Sequence, residues 1–124
     1  MNILIDSDVL IEVLRGRDEA IVTRWTDLED SADALLCSPV SVAELWQGAR
    51  PKEYDVIERL FSALICVPIE SGIGRRAGEY MRQFRKSHHV ELGDALIAAT
   101  AWAHAAALWT RNRKHYPAAG LAFY

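Results

Sequence analysis

Ile3, Leu4 and Ile5 run straight into Asp6-Ser7-Asp8, and a helix-like stretch, Val9 to Leu14, follows up to Gly16. A short apolar strand that hands over to a helix is half of a βα unit, the building block of a parallel sheet. In such a sheet the residue just past a strand's carboxyl end faces the ligand crevice, so a carboxylate at position 6 points to chemistry rather than packing. Two more acids occupy comparable places, Glu44 in Ser-Pro-Val-Ser-Val-Ala-Glu-Leu and Asp94 in Leu-Gly-Asp-Ala-Leu-Ile-Ala-Ala-Thr-Ala. They are far apart in sequence and converge only by folding.

The alternation continues along the chain. Ile21, Trp25 and Leu28 line one face of a second helix, and Ala34 to Cys37 reads as a second strand. Pro39 and Ser41 start a helix through Trp46 that Gly48 ends, and Val56, Ile57, Leu60, Phe61 and Leu64 mark another at helical spacing. Ile65 to Pro68 reads as a third strand. Ile73, Ala77, Met81 and Phe84 form the core stripe of a basic helix, and Gly93 introduces an alanine-rich helix from Asp94 to about Ala106. Leu108 and Trp109 form a fourth strand, Arg111 to Pro117 a turn, and Leu121 to Tyr124 a candidate last strand. Strands alternating with helices predict an α/β fold around a mainly parallel sheet of four to five strands.

With 124 residues, 51% apolar and 25% charged, the chain suits one globular domain over 1–124 with a single core. The apolar tracts Ala95 to Ala103 and Ala105 to Thr110 are broken by His104 and fall short of the roughly 18 to 20 residues a membrane span needs, so no membrane helix is expected. Asp6 sits where a secretory signal would have its apolar core, so no export sequence is read and a cytoplasmic location is expected. Cys37 and Cys66 lack a CxxC partner and read as buried free thiols. A net charge of −3 argues against indiscriminate nucleic-acid binding. Locally, Arg75, Arg76, Arg82, Arg85 and Lys86 oppose only Glu79 between Ser71 and His89, a face that reads first as solvated helix surface. The four tryptophans lie inside apolar patterns and read as core or interface residues.

Each acid alone has a structural explanation. Asp6, Ser7 or Asp8 suits an N-cap, and Asp8 suits the first turn of a helix, near its dipole. Ser41-Val-Ala-Glu44 matches a capping box, and Asp94 stands where a cap would open the alanine-rich helix. The set is what favours a site. Converging carboxylates repel and raise one another's pKa unless a cation neutralises them. An oxygen-only cluster suits Mg²⁺ or Mn²⁺, and the lack of suitably spaced His or Cys disfavours zinc.

Ile-Leu-Ile-Asp6-Ser-Asp-Val-Leu-Ile, Ser-Val-Ala-Glu44-Leu, Asp94-Ala-Leu-Ile-Ala-Ala-Thr-Ala and Thr110-Arg-Asn112-Arg-Lys-His-Tyr resemble, in order and spacing, the four signature segments of the PIN-domain nucleases. Within that family the chain is similar to the VapC-like toxins of toxin-antitoxin pairs. The resemblance covers nearly the whole chain. It implies a three-layer α/β/α sandwich with the acidic cluster at one sheet edge, binding one or two Mg²⁺ or Mn²⁺ ions. It further implies a homodimer held inactive by a cognate VapB-like antitoxin. Asp6, Glu44 and Asp94 match the family's metal-site acids. The fourth site position, often aspartate, is Asn112 here; an amide oxygen can hold metal or water but brings no charge, so a second ion would be held less tightly.

The expected activity is endoribonuclease: a water activated by the cation attacks an RNA phosphorus in line, leaving 5′-phosphate and 3′-hydroxyl ends. Ser7, Thr110 and Arg111 are weaker candidates for substrate contact, since hydroxyls at strand ends more often satisfy local backbone and the arginine sits in a turn. Two other functions fit parts of the pattern. A PIN-fold binding module without activity is one, prompted by Asn112. The other is a haloacid-dehalogenase-like phosphatase using Asp6 as nucleophile, for which no later strand-end Ser/Thr followed by a suitably placed Lys and acidic pair is read.

Overall fold

A computed structural model describes residues 1–31, 33–117 and 120–124. The elements run β1 (Asn2–Ile5), α1 (Ser7–Arg15), α2 (Glu19–Glu29), β2 (Ala34–Cys37), α3 (Pro39–Gln47), α4 (Tyr54–Ser62), β3 (Ile65–Cys66), α5 (Ser71–His88), α6 (Leu92–Ala103) and β4 (Ala106–Trp109). The sheet order is β3-β2-β1-β4 with every pairing parallel, so β1 lies between β2 and β4. The chain leaves β1 toward β2 on one side and returns to β4 on the other. That reversal makes the carboxyl end of β1 a topological switch point, where open α/β sheets bind ligands.

Alternation along β1 sets the three layers. Ile3 and Ile5 point to one face, where they join Val9, Leu10, Trp25, Leu28, Leu45 and Leu60. Leu4 points to the other and joins Ile73, Ala77, Tyr80, Ala95, Ala98 and Leu108. A strand buried on both faces needs an unbroken apolar run, and Ile-Leu-Ile is one. The α/β/α sandwich with a mainly parallel sheet is therefore the observed fold.

Ala95, Ala98 and Ala99 are completely buried, and their lack of bulk lets α6 lie close against the sheet and α5. Ala98→Leu is expected to overpack this layer and cost about 1–2 kcal/mol. The result would be a lower urea midpoint at unchanged slope; an unchanged midpoint would mean that α6 is not seated tightly.

Several boundaries differ from the sequence reading. The alanine-rich helix begins at Leu92 and ends at Ala103 rather than near Ala106. Ala105 takes a left-handed φ of 48° and Ala106 pairs with Asn2, so pairing with β1 overrides the helix preference of the alanines. The third strand stops at Cys66, short of Pro68, although the Val67 N–H still donates to Cys37 O at 3.0 Å. As a two-residue sheet edge it leaves the Cys66 side chain exposed, contrary to expectation, while Cys37 is buried. In α5 the buried aromatic is Tyr80; Met81 and Phe84 are only half-buried at the margin of the core. The Leu121 to Tyr124 segment makes a single parallel bridge, Leu108 to Phe123, rather than a fifth strand. No helix among the described residues is long and apolar enough to cross a membrane.

Candidate active site

Asp6 follows β1 directly, tied to β4 by its backbone N–H, which donates to Trp109 O at 2.9 Å. It is the N-cap of α1, and Oδ1 accepts the Ser7 N–H at 2.8 Å. Its other oxygen, Oδ2, accepts the Thr110 hydroxyl at 2.9 Å and the Tyr116 phenol at 2.8 Å. The capping reading therefore holds for this residue, and capping does not compete with a role in a site, since one carboxylate has lone pairs to spare after the cap bond.

Glu44 arrives on α3. Pro39 occupies the first position of that helix, where its missing N–H costs nothing, and Ser38 is the cap, its Oγ accepting the Val40 N–H at 3.1 Å. Ser41-Val-Ala-Glu44 is therefore not a capping box. Ser41 is completely buried, and its Oγ lies 2.8 Å from Ser7 Oγ, which in turn donates to Glu44 Oε1 at 3.1 Å. Ser7 is buried and spends its hydroxyl on orienting Glu44, which leaves it badly placed for substrate.

Asp94 lies in the first turn of α6, three residues after the N-cap Glu91, so it is not the cap. α6 packs against α3 at Gly93, where an added Cβ would make only an ordinary contact, 3.5 Å from Val40 Cγ1, so the approach does not depend on the glycine. Glu44 and Asp94 consequently line one cleft of about 380 Å³ with Val40, Ala43, Leu92 and Leu96. Burial raises the Asp94 pKa, the nearby His115 opposes the rise, and the charges of Asp6, Glu91 and Glu44 add to it. The His115 Nδ1 is 3.8 Å from Asp94 Oδ2. Three carboxylates from three elements thus share one electrostatic environment at the end of β1.

The end of β4 supplies the rest. Thr110 holds Asp6, as above, and its Oγ also accepts the Asn112 N–H at 3.1 Å. Asn112 reaches this group through its backbone; no hydrogen bond joins its amide to the acids among the described residues. Arg111 points elsewhere: Nη1 pairs with Glu12 Oε2 at 3.2 Å, and Nη2 stands 3.9 Å from Asp18 Oδ2. Its backbone N–H donates to Asp8 Oδ2 at 3.2 Å.

Asp8, Ser41, His115 and Tyr116 are the members that sequence reasoning left out of the site. Asp8 does occupy the first helical turn as expected, but burial and the Asp6 charge push its pKa from 3.8 up to about 6. Tyr116 is buried, and burial together with the Asp6 charge raises its pKa, so the phenol stays a proton donor. The one signal for Tyr116 was its position closing the Thr110 to Tyr116 segment with a polar-tipped aromatic.

The Asp8 shift has a definite sign. Between pH 3.8 and 6 the folded chain keeps a proton that the unfolded chain has lost, so stability falls as pH rises through that window and the full penalty stands above it. Asp8→Asn in EDTA at pH 7.5 is therefore expected to gain of order 1 kcal/mol after allowance for solvent screening, roughly 4 °C in Tm. The gain should shrink at pH 5. A variant that melts lower than wild type at pH 7.5 would mean that the Arg111 N–H needs the full carboxylate.

Apart from the His115 imidazole beside Asp94, the donors gathered here are oxygens, and no three Asp, Glu, His or Cys among the described residues close into a ready metal cage. An open set of mutually repelling carboxylates fits a hard divalent cation that takes part of its coordination from water.

The family model described as PIN domain matches residues 3–121. The chain belongs to the PIN-domain family. This PIN domain is 43% identical over 117 residues to a Mycobacterium tuberculosis protein named ribonuclease VapC10, across 93% of this chain and 86% of that one. A solved toxin-antitoxin complex from Klebsiella pneumoniae contains a chain 28% identical with a TM-score of 0.73, covering 98% of this chain and 95% of that one. VapBC2 from Rickettsia felis, bound to a promoter DNA fragment, gives a TM-score of 0.82 at 20% identity over 100% and 98% of the two chains, a likeness of fold.

Proposed function

We propose that this PIN domain is a metal-dependent endoribonuclease, the toxin of a VapBC-type pair. The observation that carries the reading is electrostatic: the charges of Asp6 and Glu44, delivered by other elements, help raise the pKa of Asp94, which puts all three carboxylates within Coulombic reach of one another. The ribonuclease name of the 43% identical relative supports the same activity. The Klebsiella pneumoniae complex supports a VapB-like antitoxin as partner. A homodimer and a cytoplasmic location, where RNA is met, complete the proposal.

Asp6, Glu44 and Asp94 would hold Mg²⁺ or Mn²⁺. A bound cation supplies an activated water and offsets charge developing on the phosphoryl oxygens. The chain's own part is to place the ligands: Ser7 orients Glu44, and Thr110 and Tyr116 fix Asp6. Asn112 presents an uncharged amide in the same segment. Lys114, exposed in the turn Arg113–His115, is available for RNA phosphates, whereas the Arg113 guanidinium lies over the Phe123 ring and donates to Tyr124 O at 3.4 Å. In-line attack by water leaves 5′-phosphate and 3′-hydroxyl ends.

The test is incubation of purified, antitoxin-free chain with total bacterial RNA in Mg²⁺, Mn²⁺ or EDTA, with the cut ends mapped. Metal-dependent cuts bearing 5′-phosphate are expected. Ends bearing 2′,3′-cyclic phosphate would overturn the water mechanism. Inactivity of folded protein on every RNA pool would favour a PIN-fold binding module instead.

A further inference from the structure

Asp6 is held from three directions. The Ser7 N–H fixes Oδ1 at 2.8 Å, and Oδ2 takes the hydroxyls of Thr110 at 2.9 Å and Tyr116 at 2.8 Å. A carboxylate offers about four lone-pair directions, so roughly one remains for a cation. Which one remains depends on the plane of the carboxylate, and the three donors set that plane.

The two hydroxyls are unequal partners. Thr110 is a free rotor with a second acceptor, Asp8 Oδ2, at 3.5 Å, and its oxygen is also engaged by the Asn112 N–H. The phenol of Tyr116 keeps its proton near the ring plane. Its ring, 2% exposed, is clamped in the core cluster that includes Leu108 and Leu121. It approaches from beyond the 3₁₀ turn Arg113–His115, on a different segment from α1 and β4. Tyr116 is thus the donor that cannot swing away.

We propose that Tyr116 is a positioning residue whose hydroxyl, anchored by a buried ring, fixes the Asp6 carboxylate for divalent-cation binding. The proposal rests on the metal-dependent reading above. Partners behind a metal ligand typically alter cation affinity by about 10- to 100-fold when removed, without touching the cation themselves.

The experiment is Mn²⁺ binding to the purified chain, followed by the paramagnetic signal of free Mn²⁺, for wild type, Tyr116→Phe and Tyr116→Leu. Melting in EDTA and RNA cleavage across a Mn²⁺ series accompany it. Tyr116→Phe, which removes one oxygen and preserves the packing, is expected to bind Mn²⁺ about tenfold more weakly. Cleavage should recover toward the wild-type rate at saturating Mn²⁺, because the loss lies in occupancy. Affinity within twofold of wild type, or tighter, overturns the proposal. So does a loss confined to Tyr116→Leu, which would assign the effect to the ring rather than the hydroxyl. Wild-type chain that binds no Mn²⁺ at millimolar concentration overturns the metal-dependent reading itself, a separate outcome because it needs no variant.

Discussion

Asp6→Asn is expected to lower metal-dependent RNA cleavage at least a thousandfold, equivalent to about 4 kcal/mol of transition-state stabilisation, while the fold survives. The amide keeps an oxygen for the Ser7 N–H at the head of α1 and turns its NH₂ toward the Thr110 and Tyr116 oxygens, both of which accept as well as donate. What is lost is charge. In the cation-free protein that loss also relieves repulsion, since Asp6 is among the charges that raise the pKa of Asp8 and of Asp94. Melting in EDTA should therefore stay close to wild type. The two proteins should part company when Mn²⁺ is added: an ion at a hundred times its Kd stabilises wild type by about 2.7 kcal/mol, and the variant should gain little. Cleavage within tenfold of wild type by a cation-blind Asp6→Asn would move the catalytic centre away from these acids altogether.

How far the sequence could be read depended on the range of the contact. The β1–Asp6–α1 handover was legible because everything that forms it is local: an apolar run buried on both faces, a capping carboxylate, then a change of period. The strands of the sheet and the alanine-rich helix were legible for the same reason. The end of that helix was not, because Ala103, Ala105 and Ala106 have one composition and three conformations, and only pairing with Asn2 separates them. Ser41 misleads for a related reason: its local pattern matches a capping box, while its partner, Ser7, stands 34 positions away. Tyr116 acts on a carboxylate 110 positions away, a separation at which single-sequence periodicity carries no signal. Residue type places Cys66 in the interior, and only its position in a two-residue edge strand exposes it.

Arg111 is where reading and structure disagree most usefully, and its replacement should be costly for stability. As part of a basic turn beside the site it reads equally well as a phosphate contact or as a solvated turn residue. In the fold its guanidinium is committed to Glu12, whose side chain is 6% exposed, and extends toward Asp18. The other cation near Glu12 is Arg17, 3.8 Å away and 67% exposed. Removing one partner of a buried pair strands the other, so Arg111→Ala is expected to lose about 2–3 kcal/mol, less than for a fully enclosed pair because Arg111 is itself half-exposed. Arg111→Lys should lose an intermediate amount, since one ammonium cannot span both acids as the guanidinium fork does. Glu12→Gln in the Arg111→Ala background should recover much of the deficit, because the stranded charge is then gone, and a double-mutant cycle in urea would read that coupling directly. If Arg111→Ala instead melts with wild type and raises only the KM for RNA, the guanidinium leaves Glu12 when substrate arrives, and the phosphate-contact reading is the right one.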